Sequence, residues 1–330
     1  MQKIKIGIIG GAGYTGGELI RLLINHPAAE IVFINSRSNA GKSVSSVHHD
    51  LLGETNLTFS DDLSGIQDGS VDVLFLCLGH GESRKFFSEN AVNDQTKIID
   101  LANDFRLTAQ SSIGNRKFIY GLPELNKSEI QSAQNVANPG CFATAIQIGL
   151  LPLAKAGLLD EVYTTGITGS TGAGQSLSTT SHFSWRANNI QAYKTLTHQH
   201  MGEIGESLLQ LQPVGGVDLS FVPWRGDFTR GIFVSSTIHC EKDYNVLVQL
   251  YKDFYKDAAF TFISDQPIFL KQVVNTNKAI IQLEKVGSKL VIHSIIDNLL
   301  KGASGHAVQN MNLMFGIGEK TGLQLKAAYF

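Results

Sequence analysis

Short apolar runs alternate with amphipathic segments along the first part of the chain. Buried strands are indicated by the β-branched, apolar segments "KIKIGIIG", "AEIVFIN" (Ala29–Asn35), "VDVLFLCLG" (Val71–Gly79), "KIIDLA" and "QNVANP". Helical spacing is found in "GGELIRLLINHP", "ESRKFFSENA" and "CFATAIQIGLLPLAKAG"; in the first of these, Leu19, Leu22 and Leu23 share one face. This alternation predicts an α/β domain with a doubly wound parallel sheet.

The pattern changes after about residue 157. Polar and apolar positions alternate in "VDLSFVPW", "GIFVSSTIHC" and "KAIIQLEKVGSKLVIHSII", and the last of these predicts a hairpin around Val286-Gly287-Ser288. "VLVQLYKDFYKDA" is an amphipathic helix, and "ASGHAVQNMNLMFG" is also helical in pattern. We therefore expect a second, α+β domain, in which helices cover one face of a mixed sheet.

Composition supports a cytoplasmic enzyme of two domains. The chain has 330 residues, 43% hydrophobic and 17% charged, with a formal net charge of −2 that argues against a nucleic-acid partner. Gly10 and Gly11 interrupt the first apolar run, so we expect no signal peptide, and no later run is long enough to span a membrane. The three cysteines form no CxxC pair, which disfavours a disulfide framework and favours a reducing compartment.

A glycine-rich loop follows the first strand directly and opens a helix. The loop fits G-x-G-x-x-G and comprises Gly10, Gly11, Ala12, Gly13, Tyr14, Thr15 and Gly16. Such glycines let a pyrophosphate approach the backbone, where the helix N-terminus supplies amide donors and a positive dipole. The context of strand, loop and helix predicts a Rossmann-like dinucleotide site.

The end of the second strand indicates which dinucleotide is bound. NAD is usually held by an acidic residue there, whereas this strand continues into Ser36, Arg37 and Ser38. A cation with neighbouring hydroxyls suits a 2′-phosphate, so we predict NADP(H). The alternative is a solvated arginine in a loop.

Cys141 in "NPGCFATA" differs from the other two cysteines. Cys77 lies in an apolar strand and Cys240 ends another, so both are expected to be packing residues. Cys141 follows Asn-Pro-Gly at the start of a helical run, where the amides and dipole favour the thiolate. The pattern predicts a nucleophile at the carboxyl edge of the sheet.

Candidate partners of this thiol lie in the second half of the chain. His198 and His200 form an H-x-H, which alone also fits a surface loop; with no third ligand at metal spacing, we predict no metal site. An acyl-phosphate substrate would need cations, and Arg106 and Arg230 are candidates, although each alone also fits an ordinary surface arginine. "STGAGQSLSTTSHFS" (Ser170–Ser184) is expected to be an ordered active-site loop or a flap, and His48-His49 a surface loop.

Taken together, these motifs resemble N-acetyl-gamma-glutamyl-phosphate reductase, a family of arginine biosynthesis related to aspartate-semialdehyde dehydrogenase. The matching stretches run nearly the whole length in family order: "GGAGYTGGELIRLLINHP", "SRSNAGK", "DFRL", "YGLPEL", "NPGCFATA", "YKTLTHQHMGEI" and "IDNLLKGASGHAVQNMNLMFG". The resemblance implies residues 1–140 and 303–330 as the NADP-binding domain and 141–302 as the catalytic and oligomerisation domain. It also implies a homodimer or homotetramer.

The resemblance further implies a mechanism. Cys141 would attack the gamma-acyl phosphate, release phosphate and form a thioester, which NADPH reduces to the semialdehyde; His198 would be the acid/base. Asn310 resembles the family's asparagine near the nicotinamide. Substrate-pocket positions are implied at Arg106, Asn138, Ser170, Gly172, His200 and Arg230.

The sequence departs from the family pattern in ways that affect the substrate. Phe142 replaces a tyrosine, His306 a glutamine, and the usual H-T-P-E-I reads His200-Met201-Gly202-Glu203-Ile204. The stretch "FVPWRGDFTRG" introduces Trp224 and Arg225. We hypothesise that Arg225 binds a second carboxylate, as in an N-succinyl rather than an N-acetyl substrate. An aspartate-semialdehyde dehydrogenase-type reductase and a catalytically silent nucleotide sensor are the alternative functions.

Overall fold

The computed structural model describes residues 3–330 and contains fifteen strands and eight helices. The helices are α1 (Tyr14–Leu23), α2 (Glu82–Glu89), α3 (Pro123–Ser132), α4 (Cys141–Lys155), α5 (Phe183–Arg186), α6 (Met201–Leu211), α7 (Tyr244–Phe254) and α8 (Ser304–Met314). The first eight strands are β1 (Ile4–Ile9), β2 (Ala29–Asn35), β3 (Phe59–Ser60), β4 (Val73–Leu76), β5 (Lys97–Asp100), β6 (Ser112–Ile113), β7 (Arg116–Tyr120) and β8 (Asn135–Ala137). The others are β9 (Glu161–Thr168), β10 (Gln191–Ala192), β11 (Asp218–Arg225), β12 (Ile232–His239), β13 (Thr261–Ser264), β14 (Ala279–Val286) and β15 (Lys289–Ile296).

The chain divides into two compact units. Unit 1 comprises Met1–Pro139 and Ala303–Gln324, and unit 2 comprises Gly140–Gly302 and Leu325–Phe330. The tail therefore differs from the prediction, which placed all of 303–330 with the nucleotide domain. The reason is local, since the amide of Ala328 donates to the Val274 carbonyl and the ring of Tyr329 packs on Phe269.

Unit 1 contains the predicted doubly wound sheet, in the order β3-β2-β1-β4-β5-β8-β7-β6. All of its pairings are parallel except that of β6 with β7. From β1 the strand order runs outward in one direction through β2 and β3, and in the other direction through β4 and β5. The topological switch point of the sheet therefore lies between β1 and β4. The glycine-rich loop therefore begins at the position where this fold places its ligands.

Unit 2 contains the predicted mixed sheet, in the order β10-β11-β9-β12-β15-β14-β13. Helix α4 is apolar almost throughout and packs on this sheet, and residues 142–154 are all buried. The predicted hairpin is confirmed: β14 and β15 pair antiparallel with Val286 opposite Lys289, and Gly287 has a φ of 56° in the tight turn. Along β9 the burial alternates strictly, so the face turned away from α4 is the more exposed one.

Candidate active site

Cys141 is the first residue of α4. Gly140 is the N-cap residue, with an extended backbone and no side chain to occupy the amides of the first turn. The thiol is partly buried, and all three cysteines are present as thiols. A thiolate at this position is stabilised by the helix dipole and by the amides that lack an intrahelical partner. The predicted helix N-terminus is thus present, and Gly140 contributes no side-chain cap to it.

Two glycines allow other segments to approach the start of α4 closely. A Cβ at Gly302 would lie 2.8 Å from the Cβ of Cys141, and a Cβ at Gly140 would lie 2.3 Å from Nε2 of His200. Neither distance is compatible with a side chain. The loop that ends at Gly302 and the imidazole of His200 therefore both contact the nucleophile's turn because these positions are glycine.

His200 and Glu203 form a buried polar group beside this turn. One carboxylate oxygen of Glu203, Oε2, accepts the amide of Gly140 at 3.1 Å, and Oε1 lies 3.9 Å from Nε2 of His200. Glu203 is buried although it is ionisable. It holds the residue before Cys141, so it fixes where the helix begins. Sequence pattern alone assigns no role to Glu203.

His198 lies in an aromatic enclosure that includes Phe142, the residue that follows Cys141. Its ring centroid is 5.7 Å from those of Phe142 and Tyr193 and 5.5 Å from that of Phe221. Burial, assisted by the charge of Lys194, lowers the pKa of His198 to about 4, so the imidazole is neutral near pH 7. The amide of His200 donates to Nδ1 at 3.2 Å, which leaves the ring proton on Nε2.

Tyr193 and Arg225 form a second pair at the site. The guanidinium carbon of Arg225 lies 4.6 Å from the centre of the Tyr193 ring. Burial first, and then the nearby charge of Cys141, raises the pKa of the Tyr193 hydroxyl, whereas Arg225 opposes that shift. Tyr193 therefore lies near both the sulfur and the arginine. It was missed as a functional residue, although it stands within the quoted "YKTLTHQHMGEI".

Alternation along β11 separates Arg225 from Trp224. Arg225 has the same parity as Phe221 and Pro223, the buried positions of the strand, and Phe221 packs on His198. Trp224 points to the opposite face, where its indole N–H donates to the hydroxyl of Thr165. Of Trp224 and Arg225, only Arg225 therefore lies on the face of β11 that packs on His198.

Arg230 is held by a buried carboxylate. Its Nε and Nη2 donate to the two oxygens of Asp297 at 3.0 and 3.1 Å. Asp297 also accepts the amides of Asn275, Leu299 and Leu300. Among the described residues, by contrast, no carboxylate pairs with Arg225. A substrate role for Arg230 stays a prediction, and Arg225 is a cation of this site without an acidic partner among the described residues.

The loop after β9 is anchored at its start. The amides of Ser170 and Thr171 donate to the carbonyls of Phe228 and Thr229, and Gly172 is exposed beyond them. The hydroxyl of Thr171 accepts from Asn298 at 2.9 Å. Ser170 and Gly172 therefore lie on an ordered turn, and their substrate role stays a prediction.

The glycine loop of unit 1 fits a dinucleotide phosphate. Gly13 is the N-cap of α1 and offers no side-chain cap, while a Cβ on it would meet only the Gly10 carbonyl, at 3.7 Å. At Gly16, by contrast, a Cβ would come within 2.6 Å of the Gly11 backbone, so the helix packs directly on the loop. The N-terminus of α1 therefore has no side-chain cap and has room beside Gly13, as an anion site requires.

Two further features accompany this loop. Ser36 is buried at the end of β2, and Arg37 extends from the next turn, 77% exposed, with Glu89 at 3.9 Å as a loose partner.

Asn310 on α8 donates to the Gly121 carbonyl and to Asn138 Oδ1. Within residues 3–330, Oδ1 of Asn310 is a buried acceptor that no hydrogen bond satisfies, which fits a ligand amide.

Arg106 and Asn138 are buried in unit 1. Nε of Arg106 donates to the Asn138 carbonyl at 2.9 Å, and Nη2 donates to the Leu101 carbonyl at 3.0 Å. Nδ2 of the Asn138 side chain donates to the Ala303 carbonyl at 3.1 Å. Both side chains therefore brace the carboxyl edge of the sheet, and their predicted contact with substrate is not tested by this geometry.

Similarity to known proteins identifies the family. Residues 5–133 match the semialdehyde dehydrogenase NAD binding domain, and residues 141–298 match the semialdehyde dehydrogenase dimerisation domain. N-acetyl-gamma-glutamyl-phosphate reductase of Christiangramia forsetii is 54% identical over 99% of this chain and 100% of its own. The enzyme of that name from Flavobacterium johnsoniae is 55% identical over the same shares.

This chain belongs to the N-acetyl-gamma-glutamyl-phosphate reductase family. A solved aspartate semialdehyde dehydrogenase II from Vibrio cholerae has the same fold, with a TM-score of 0.74 over 96% of this chain and 99% of its own, at 15% identity. The family and the fold expected from the motifs are confirmed.

His48 and Cys77 lie elsewhere than the sequence pattern predicts. His48 was predicted in a surface loop, which is wrong: it is 5% exposed and contacts the glycine loop. Cys77 lies just after β4 rather than within it, and burial raises the pKa of its thiol to about 12. The burial of His48 depends on its contact with Gly11, 37 residues away in the chain, which no local sequence pattern predicts.

Within residues 3–330, no group of three or more His, Cys, Asp or Glu side chains is placed to hold a metal ion. None of the helices in this part of the chain has the length and apolar character needed to cross a bilayer.

Proposed function

We propose that the chain reduces an N-acyl-gamma-glutamyl phosphate to the N-acyl-glutamate semialdehyde and phosphate, in arginine biosynthesis, through a thioester on Cys141. The observation that carries the proposal is the Cys141 thiol at an α4 N-terminus without a side-chain cap, where the next residue, Phe142, packs on the enclosed imidazole of His198. Family membership supports the same reaction. The direct test is the reverse reaction: semialdehyde, phosphate and NADP should give NADPH absorbance, and aspartate semialdehyde should not replace the substrate.

The chain's own residues divide the work. The sulfur of Cys141 forms a bond to the acyl carbon as the bond to phosphate breaks, and the helix N-terminus stabilises the thiolate that attacks. Nε2–H of His198 donates to the oxyanion that develops on the acyl oxygen when hydride adds to the thioester carbon. The C–S bond then breaks, which releases the semialdehyde and returns Cys141 as a thiolate. Glu203 fixes the turn that carries the sulfur.

The proposed cofactor is NADP(H), which supplies the hydride when bound. Its pyrophosphate is assigned to the amides of the loop Gly10–Gly16, and its 2′-phosphate to Ser36, Arg37 and Ser38. Asn310 would accept from the carboxamide. We place the enzyme in the cytoplasm because its nucleophile must remain a reduced thiol.

Arg225 is proposed to select the acyl group. A cation near Cys141 with no acidic partner among the described residues fits a carboxylate on the substrate, as an N-succinyl group provides. Replacing Arg225 by methionine should lower kcat/KM for the N-succinyl substrate by about 10- to 100-fold, because a charged hydrogen bond contributes about 1.5–3 kcal/mol.

The N-acetyl substrate is the matched control in that experiment. Its kcat/KM should change by less than about threefold in Arg225→Met if the arginine binds the distal carboxylate. An equal fall for both substrates would assign Arg225 to a carboxylate that both share. A wild-type preference for the N-acetyl substrate would refute the N-succinyl proposal.

The outer face of the unit 2 sheet is proposed as the self-association surface. The face opposite α4 carries Tyr163, 59% exposed, and a depression of about 240 Å³ lined by Ile167, Ile190, Trp224 and Phe233. The match to a dimerisation domain over residues 141–298 supports a second copy of this chain as the occupant. A homodimer or homotetramer is expected.

Replacing Trp224 by glutamate should shift the protein toward single chains in sedimentation velocity, because a buried charge in a subunit interface is costly. The matched control is Val286→Glu at the hairpin turn of the same unit, 82% exposed, which should leave the sedimentation coefficient unchanged. Association of the Trp224→Glu protein equal to that of the wild type would place the interface elsewhere.

A further inference from the structure

His48 makes a buried contact with the glycine-rich loop. Its Nε2 lies 2.8 Å from the carbonyl oxygen of Gly11, and the side chain is 5% exposed. A carbonyl oxygen can only accept, so Nε2 is the donor. Burial, more than the nearby charge of Arg21, lowers the pKa of His48, and the contact with Gly11 opposes that shift.

Gly11 is held at both of its backbone polar groups. Its amide donates to the Asn35 carbonyl at 3.0 Å, and its carbonyl accepts from His48. A Cβ on Gly11 would lie 2.1 Å from a methyl carbon of Ile34, so the residue cannot shift toward β2. Because the peptide unit is planar and trans, a carbonyl directed at His48 turns the amide of Ala12 to the opposite side.

His48 is itself fixed by helix α1. A Cβ at Gly17 would lie 2.5 Å from Cε1 of the imidazole, so the ring packs on the helix backbone. Arg21 on the same helix donates from Nη2 to Asp50 at 2.6 Å, which ties the segment of His48 to α1. Glu18, Arg21 and Asp50 are the charged groups that face the ring.

We propose that His48 is a positioning residue for the dinucleotide: by holding the Gly11 carbonyl, it sets the direction of the Ala12 amide toward the pyrophosphate. The inference rests on the proposed function, in which this loop binds NADP(H). His48 does not touch the cofactor and acts only through the loop. Its loss should therefore change cofactor binding and leave the chemistry of bound substrate unchanged.

The test compares three variants by NADPH fluorescence titration and by steady-state kinetics. His48→Leu and His48→Asn, which cannot donate at this distance, should raise the dissociation constant and KM for NADPH about tenfold. His48→Gln, whose amide nitrogen reaches about as far as Nε2, should stay within about threefold of the wild type. In all three, kcat and KM for the acyl phosphate should be unchanged.

Either of two results would overturn the role of His48. The first is wild-type NADPH affinity in both the Leu and the Asn variants. The second is a loss in the Gln variant as large as in the other two, which would show that the shape of the ring matters and the donor does not. Failure of the wild-type protein to bind NADPH would instead refute the proposed cofactor.

Discussion

Replacing Cys141 by serine is expected to lower turnover by at least about 10³-fold while the affinity for NADPH stays unchanged. A serine hydroxyl at the helix N-terminus remains protonated near neutral pH and cannot form the thioester. The fold should tolerate the change, because the contact of Gly302 is with the Cβ, which serine retains. Turnover and fluorescence titration on the same preparation measure the two effects.

Alkylation gives an independent test of the same nucleophile. Iodoacetamide followed by mass spectrometry should label Cys141 faster than Cys77 or Cys240, because burial raises the pKa of the Cys77 thiol to about 12 and Cys240 is buried. Cys240→Ala is the matched control and should retain turnover. Equal labelling of all three cysteines, or an active Cys141→Ser protein, would favour the silent nucleotide sensor.

Replacing His198 by alanine is expected to lower kcat by about 10²- to 10⁴-fold, because the transition state loses a preorganised donor to the oxyanion. Since the neutral ring carries its proton on Nε2, His198→Gln should recover part of the loss. Equal losses in both variants would indicate that proton transfer, rather than hydrogen-bond donation, is the essential role.

The pH dependence of His198 follows from its burial. Burial lowers the pKa of His198 from 6.5 to about 4. In an NMR titration of the free enzyme, the imidazole should therefore stay neutral as the pH is lowered past 6.5 and become protonated only near pH 4. Between about pH 4 and 6.5 the unfolded chain binds more protons than the native state, so stability rises with pH in this window and is lost on acidification. The lowered pKa values of His26 and His48 act in the same direction. A His198 titration near 6.5 would contradict the enclosure described here.

Much of the architecture was predictable because it depends on local pattern. The strand predicted at Ala29–Asn35 is β2 residue for residue, and the helix at "CFATA" begins at Cys141. Long apolar runs bounded by glycine leave few alternatives. The two-residue strands β3, β6 and β10 and the strands β7 and β13 were missed, since short or half-exposed strands are defined by their partners.

The parts of the site that sequence reasoning missed are long-range contacts between elements. Tyr193 reaches Arg225 because β10 pairs with the end of β11, and no spacing rule links residues so far apart. Glu203 meets Gly140 across 63 residues. The histidine pair was found because H-x-H is compact. The protonation state of His198 was not predictable from the sequence, because its pKa depends on the rings that surround it.

Gly140 and Gly302 contribute to the nucleophile's surroundings through the absence of a side chain. An alanine scan removes side-chain atoms at most positions, but at these two glycines it adds a methyl group. That methyl carbon would lie 2.3 Å from Nε2 of His200 at position 140 and 2.8 Å from the Cβ of Cys141 at position 302. A scan ranked by how much is deleted would therefore misjudge both. In engineering this enzyme for larger acyl groups, these glycines belong with the fixed positions, and new volume has to be sought elsewhere in the pocket.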